Sequence, residues 1–174
     1  AVELPASVLE ELASHSEVSY IVPDRPMLSL GHVETTTGAT AMRQQSGNSG
    51  LTGTGIGIAV LDSGIQASHH GFNSIVKSLD FTGENRTDDP YGHGSHVAGL
   101  AAGNNHISSG AYTGVAPNAK LINLRVLNSQ GTGTTSGLLS SLDWVLTNRS
   151  NHNIRVVNMS LGAAAVDSYK KDPI

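Results

Sequence analysis

Several residue types are scarce in this sequence, and each absence removes a class of function. The 174 residues include no cysteine, which excludes disulfide bonds, thiol catalysis and thiolate metal ligands. No apolar run is long enough to cross a bilayer, and no signal peptide is recognisable at the N-terminus. Lysine and arginine cluster no further than Lys170-Lys171, and the formal net charge is -4. Neither nucleic acid nor a membrane is therefore an expected partner.

The residues that are present favour a globular protein in which three stretches differ in character. Residues 1–27 contain a helix signal at Val8, Leu9 and Leu12, and then a short strand signal from Val18 to Val22. Residues 28–54 are rich in small polar residues and predict a linker with one short helix around Ala39 to Gln45. Residues 55–174 are long enough to enclose a hydrophobic core.

Strand and helix signals alternate along this third stretch, which predicts an α/β fold with a mostly parallel sheet. Strands are predicted at residues 56–61, 121–127 and 154–159, and the nearly continuous apolar run of the first indicates a strand that is buried on both faces. One helix is predicted from His93 to Ala102, and a second follows Gly131. The apolar face expected on the second helix consists of Leu138, Leu139, Leu142, Val145 and Leu146. No periodicity is visible after Ala165.

Two residues placed at element ends can carry acid–base chemistry. Asp62 directly follows the first predicted strand, and functional groups of parallel sheets gather beyond the carboxyl ends of the strands. His93 lies between two glycines at the start of a predicted helix. An imidazole oriented by a carboxylate through one ring nitrogen can take a proton from a hydroxyl nucleophile through the other. The sequence therefore predicts that Asp62 and His93 are a catalytic pair.

Three blocks that follow one another in the chain make the chemistry more specific. They are Gly57-Ile58-Ala59-Val60-Leu61-Asp62-Ser63-Gly64-Ile65, Tyr91-Gly92-His93-Gly94-Ser95-His96-Val97-Ala98-Gly99 and Val156-Val157-Asn158-Met159-Ser160-Leu161-Gly162. In content and order they resemble signature blocks of the subtilisin-like serine proteases. That resemblance implies a three-layer fold with helices on both faces of the sheet, incomplete at its C-terminus. It also implies that Asp62 is the catalytic aspartate, His93 the general base and His96 a structural neighbour.

The same resemblance extends to substrate binding and to the N-terminal stretch. Two segments are similar to the edges between which these proteases bind an extended peptide, namely Gly131, Thr132 and Gly133, and Ser160, Leu161 and Gly162. Residues 1–27 resemble the end of an inhibitory propeptide, with a processing junction between Met27 and Thr37. The implied partners are polypeptide substrates and the chain's own propeptide, and the parent protein is expected to be a secreted monomer.

The chain departs from the family pattern at two places. No Gly-Thr-Ser-small-Ala segment supplies the nucleophile, so we expect the 174 residues alone to be inactive and assign the endopeptidase function to the parent protein. Many relatives place a calcium-binding carboxylate shortly after the aspartate block, where this chain has Ser68-His69-His70-Gly71-Phe72. Because calcium requires clustered oxygen ligands, no cofactor or metal is expected at that position.

Three alternatives to the protease hypothesis use other features of the sequence. The segment Gly131-Thr132-Gly133-Thr134-Thr135-Ser136 partly matches a dinucleotide fingerprint but lacks its third glycine. His93 and His96 could bind zinc together with Asp62, or with His69 and His70. A relative that binds peptides without cleaving them would retain all the blocks described above.

Overall fold

The computed structural model describes residues 5–18 and 32–162, and the chain divides into two compact units, residues 1–30 and 31–174. In the first unit a 3₁₀ turn, Ala6–Val8, leads into helix α1, Leu9–Ala13. Leu9 and Leu12 are 40% and 37% exposed, so within its described residues this unit has no buried core of its own. All of the predicted strand from Val18 to Val22 except Val18, and residues 27–31 of the predicted processing junction, lie outside the described residues.

The second unit contains a four-stranded parallel sheet and most of the helices. Helix α2, His32–Thr36, and helix α3, Ala39–Arg43, come first, and an ion pair between Arg43 and Glu34 joins them. The strands are β1, Gly57–Asp62; β2, Ile75–Asp80; β3, Lys120–Arg125; and β4, Ile154–Asn158. Helix α4, His93–Ala102, lies between β2 and β3, and helix α5, Thr135–Asn148, lies between β3 and β4.

The strand order is β2-β3-β1-β4, and every neighbouring pair is parallel. Strand β1 is therefore central, and all six of its residues are buried. Its side chains alternate between two hydrophobic clusters, because successive residues of a strand point to opposite faces. Ala59 and Leu61 pack with Leu138 and Val145 of α5, whereas Ile58 and Val60 pack with Ala98 and Ala102 of α4. The sheet therefore has a helix on each face, which confirms the predicted α/β three-layer fold.

The structure corrects the sequence prediction at two elements. Strand β2 has no counterpart among the predicted strands, because it lies at the edge of the sheet, is partly exposed and lacks a continuous apolar run. The apolar face predicted for α5 is too wide, since Leu139 is 39% and Leu146 73% exposed. The tail after Gly162 lies outside the described residues.

Helix α4 approaches the end of β1 closely because its second residue has no side chain. A Cβ built on Gly94 would clash with the carbonyl oxygen of Gly64 and would lie 3.1 Å from the Cβ of Asp62. On the same helix, a Cβ on Gly99 would have no atom within 4 Å. The contact at Gly94 therefore sets how near the start of α4 can lie to the turn that follows β1.

We predict that Gly94→Ala destabilises the 174-residue chain by about 1–3 kcal/mol, because overpacking forces the backbone apart. The matched variant Gly99→Ala is expected to stabilise the chain by up to about 1 kcal/mol, because alanine is the better helix former. Urea unfolding followed by circular dichroism measures both effects. Equal changes in the two variants would show that the close approach at Gly94 does not constrain the fold.

Candidate active site

Asp62 is the last residue of β1 and its side chain is almost completely buried. Only 1% of the side chain is exposed, and Oδ1 accepts a hydrogen bond of 2.7 Å from the backbone N–H of Ser63. The other oxygen, Oδ2, is buried and accepts no hydrogen bond from the described residues. A buried carboxylate needs charged or hydrogen-bonding partners, because transferring a lone charge out of water is very unfavourable.

His93 supplies such a partner from the first position of α4. Its Nδ1 lies 2.7 Å from Asp62 Oδ1, and its side chain is 41% exposed. When Asp62 is ionised, the proton of a neutral imidazole stays on Nδ1, and this N–H donates a hydrogen bond to the carboxylate. Nε2 is then the nitrogen with a free lone pair. The structure thus brings together the two residues that the sequence pairs, with an imidazole that is held at one nitrogen and able to exchange protons at the other.

A residue that the sequence analysis missed, Asp89, holds the turn after Asp62 to the start of α4. Its Oδ1 accepts hydrogen bonds from Ser63 Oγ at 2.7 Å and from Gly92 N at 2.8 Å. Its Oδ2 accepts one from Ser95 N at 2.7 Å, and Ser63 Oγ accepts one from Gly94 N at 2.9 Å. Burial alone would raise the pKa of Asp89, but the hydrogen bonds from Ser95 and Ser63 outweigh it and lower the pKa.

Asp89 also satisfies backbone N–H groups at a helix N-terminus, which otherwise have no partner in the helix. The signal that could have revealed it is an acidic residue shortly before a predicted helix start. That signal is common, and nothing in the sequence shows that the same carboxylate also binds Ser63. Asp89 therefore fixes both halves of the Asp62–His93 pair without touching either side chain.

The two predicted peptide-binding edges meet around one cleft of about 310 Å³. Gly131, Thr132 and Gly133 form one side, and Leu161 and Gly162 form the other. The rest of the lining is mostly apolar and consists of Val126, Leu127, Thr134, Thr135 and Leu138. Ser160 is the one predicted residue outside this lining, and its Oγ accepts a hydrogen bond from Asn158 Nδ2 at 3.0 Å.

Side-chain hydrogen bonds shape the loop that carries the glycine edge. Asn128 Oδ1 accepts hydrogen bonds from Gln130 N at 2.9 Å, Thr132 N at 3.1 Å and Thr132 Oγ1 at 3.0 Å. Gly131 has a φ of 75°, and a Cβ there would lie 2.5 Å from Cζ of Tyr91. The glycine is therefore required both by its backbone conformation and by the tyrosine ring against it. Tyr91 belongs to the segment that leads into His93.

Charged residues end three neighbouring strands beside the site. Asp80, Arg125 and Asp62 are direct register partners at the carboxyl ends of β2, β3 and β1. Burial would raise the pKa of Asp80, but hydrogen bonds from Thr82 and Asn85, with the charge of Arg125, lower it overall. The sequence analysis missed both residues, because β2 was not predicted and Arg125 lies inside the predicted strand 121–127 rather than at its end.

A second cavity, of about 500 Å³, lies along another part of α4. Its lining includes His69, His96, Leu100 and Tyr112. In the part of the chain that the structure describes, no three His, Asp or Glu side chains are grouped so that they could hold a metal ion. The zinc alternative thus gains no support from the described geometry. No described helix is long and apolar enough to cross a membrane.

We predict that Asp89→Asn lowers the free energy of unfolding at neutral pH by about 1–3 kcal/mol, the usual cost of losing hydrogen bonds to a charged group. Because folding lowers the pKa of Asp89, its contribution is complete above the ordinary aspartate value of 3.8 and is lost as the pH falls through the lowered value. The variant should therefore lose less stability on acidification than the wild type.

Urea unfolding of both proteins across this pH range tests the prediction. Asp88→Asn is the control, because the side chain of Asp88 is 45% exposed and binds the side chain of Arg86. Its effect should be smaller, since surface ion pairs contribute little. If Asp89→Asn is as stable as the wild type at neutral pH, Asp89 does not hold the turn after Asp62 to the start of α4.

Comparison with known proteins agrees with this geometry. The family model described as the subtilase family matches residues 53–173. The alkaline protease of Alkalihalobacillus alcalophilus is 35% identical over 164 residues, which cover 94% of this chain and 41% of that protein. The serine protease AprX of Bacillus subtilis (strain 168) is 34% identical over 182 residues, covering 99% of this chain and 40% of that protein.

The solved structure of Sphericase superposes with a TM-score of 0.62 at 31% sequence identity, over 75% of this chain and 44% of that one. The chain thus spans about two fifths of the length of the curated relatives it matches. The parallel sheet, the aspartate at the end of β1 and the histidine at the start of α4 lie within the matched residues. By sequence and by structure, the chain belongs to the subtilase family.

Proposed function

We propose that the intact protein is a subtilisin-type serine endopeptidase that hydrolyses polypeptides through an acyl-enzyme. The observation that carries the proposal is the 2.7 Å contact between His93 Nδ1 and the buried carboxylate of Asp62. Asp62 holds the imidazole in one tautomer and stabilises the imidazolium that forms during reaction. His93 Nε2 takes the proton of a serine hydroxyl as that oxygen attacks the carbonyl carbon, and later gives the proton to the leaving amine.

The nucleophile of this reaction is not found among residues 1–174. They contain no Gly-Thr-Ser-small-Ala segment. Ser63 Oγ already donates a hydrogen bond to Asp89 and accepts one from the N–H of Gly94. We therefore propose that these 174 residues alone do not turn over peptides. The intact protein supplies the serine.

The cleft supports an extended polypeptide as the substrate. A peptide that lies as an added strand between Gly131–Gly133 and Leu161–Gly162 is held through main-chain hydrogen bonds, which any sequence can make. The similarity to alkaline proteases and subtilisins supports secretion of the intact protein. Residues 1–27 would act as the end of an inhibitory propeptide, and the processed enzyme would be a monomer.

We also propose that the segment Ser68–Phe72 binds no calcium, although many relatives are expected to bind it there. This segment has no carboxylate, and the side-chain amide of Asn104 connects it to the loop after α4. Its Nδ2 donates to His70 O at 2.7 Å and to Asn73 Oδ1 at 3.1 Å, while its Oδ1 accepts from His106 N at 2.9 Å. The amide of Asn104 thus joins the two loops through hydrogen bonds, without a charged ligand.

We predict that a calcium chelator leaves the melting temperature of the 174-residue chain unchanged, because no calcium site at residues 68–72 stabilises its native state. Asn104→Ala should lower stability by about 1–3 kcal/mol, since it leaves buried hydrogen-bonding groups without partners. Differential scanning calorimetry of this chain measures both. A large drop in its melting temperature with chelator, restored by added calcium but absent in a variant with residues 68–70 replaced by alanine, would overturn the proposal.

We predict that the intact protein is labelled covalently by a fluorophosphonate probe and that His93→Ala abolishes labelling. Turnover of a peptide substrate should fall about a million-fold, which is the size of the effect that the equivalent loss has in subtilisin, a member of the same family. His106→Ala is the control, because that exposed side chain lies outside the site. An intact protein that binds peptides but is never labelled would be a non-catalytic relative.

A further inference from the structure

Among the residues that the structure describes, Arg125 is the largest fully buried side chain, and its position is unusual for a permanent charge. It is 0% exposed at the end of β3, between the register partners Asp62 and Asp80. Burying a guanidinium is unfavourable unless its donors are all used with good geometry. In the structure each of its three nitrogens donates to at least one acceptor, and these acceptors lie on separate segments of the chain.

One donor of Arg125 reaches the turn that carries the candidate catalytic aspartate. Its Nε donates to the carbonyl oxygen of Ser63 at 3.0 Å, and the N–H of Ser63 donates to Asp62 Oδ1 at 2.7 Å. Arg125 thus holds the residue whose backbone orients the Asp62 carboxylate. A neighbouring backbone hydrogen bond, from Val126 N to Asp62 O at 2.8 Å, fixes the end of β1 to the same strand.

The other end of the guanidinium reaches a different loop. Nη1 donates to Thr82 Oγ1 at 2.9 Å, and Nη2 donates to Glu84 Oε2 at 2.5 Å. The hydrogen bonds from Arg125 and then from Ser129 lower the pKa of Glu84, so its carboxylate stays ionised at neutral pH. The side chain of Glu84 is 32% exposed, so it spans from the enclosed arginine to the surface.

Glu84 in turn binds the first part of the loop that bears the glycine edge. Its Oε1 accepts from Ser129 Oγ at 2.9 Å, and its Oε2 accepts from Ser129 N at 3.2 Å. Ser129 immediately precedes Gln130 and the glycine edge, in the loop shaped by Asn128. One chain of side-chain hydrogen bonds therefore runs from the aspartate turn through Arg125 and Glu84 to the peptide-binding loop.

We propose that Arg125 and Glu84 are positioning residues that set the peptide-binding edge at Gly131–Gly133 relative to the Asp62–His93 pair. This inference rests on the proposed function, because it concerns how substrate is aligned for that reaction. Loss of the Glu84 carboxylate releases the loop from the strand ends but leaves the Asp62–His93 contact intact. The loss of rate caused by removing this carboxylate must then be larger for substrates that contact more of the Gly131–Gly133 segment.

The test uses the intact protein and the variant Glu84→Gln, which removes the charge but keeps the shape of the side chain. For a peptide that extends along the edge, kcat/KM is expected to fall about ten- to a hundredfold, since small misplacements of bound substrate are that costly. For a single-residue ester and for fluorophosphonate labelling, the rates should change less than about threefold, because neither reagent occupies the edge. A purely structural role would change all three rates together.

Four further variants sharpen the result. Asp88→Asn, which removes another carboxylate in the same loop, should leave the ratio of peptide to ester rates unchanged. Ser129→Ala removes the hydrogen bond from Oγ but keeps the one from the backbone N–H, so it should show a smaller selective loss, and the double variant with Glu84→Gln should add little to the loss in Glu84→Gln. Arg125→Lys keeps the charge but not the forked geometry, and because Arg125 also holds Ser63 it should lower the ester rate as well, though less than the peptide rate. Circular dichroism establishes that each variant is folded before its rates are compared.

The outcomes separate the two proposals. If the wild-type intact protein is not labelled by fluorophosphonate, the proposed function fails and this inference fails with it. If the wild type is labelled but Glu84→Gln lowers peptide and ester rates equally, or changes neither, the inference alone is overturned.

Discussion

The buried carboxylate of Asp62 is the constraint on which the rest of this site depends. A charge with 1% exposure requires donors close at hand, and the chain provides them from the next residue and from the start of a helix 31 positions later. The helix can come this near only because Gly94 presents no side chain to the turn at Gly64. The small residues Ala98 and Ala102 continue the close packing along α4. The chemistry of one side chain thus restricts the residue types along a whole helix face.

Charge balance at the strand ends follows from the same burial. The buried guanidinium of Arg125 forms ion pairs with Asp80 at 3.4 Å and with Glu84 at 2.5 Å, in a region from which water is largely excluded. Such a pairing need not add net stability, because the cost of desolvation can exceed the attraction between the charges. What it adds is specificity of position, since a forked guanidinium holds its partners at defined angles. That property is useful beside a proton-transfer pair, where small displacements have large effects on rate.

The sequence is sufficient for the parts of the fold that arise from local patterns. Strands β1, β3 and β4 are apolar runs, and helix α4 has the bounds that its sequence predicts. Strand β2 cannot be recognised in this way, because a partly exposed edge strand resembles a polar loop. The contact between Asp62 and His93 can be predicted, because the carboxyl ends of parallel strands and the starts of the helices that follow them lie at the same edge of the sheet. The links from Asp89 to Ser63, from Arg125 to Ser63 and from Arg125 to Glu84 cannot be predicted in this way, because they join residues 26 to 62 positions apart and have no periodic signature.

The loop that bears Gly131, Thr132 and Gly133 has two supports of different kinds. On one side the ring of Tyr91 packs against Gly131, in the segment that leads into His93. On the other side Glu84 binds Ser129 and connects it to Arg125 in the core. The first support is a van der Waals contact that moves with the histidine segment, whereas the second is a charged link to the sheet. The loop is therefore fixed both to the segment that carries His93 and, through Arg125, to the end of β3 and the turn that follows Asp62.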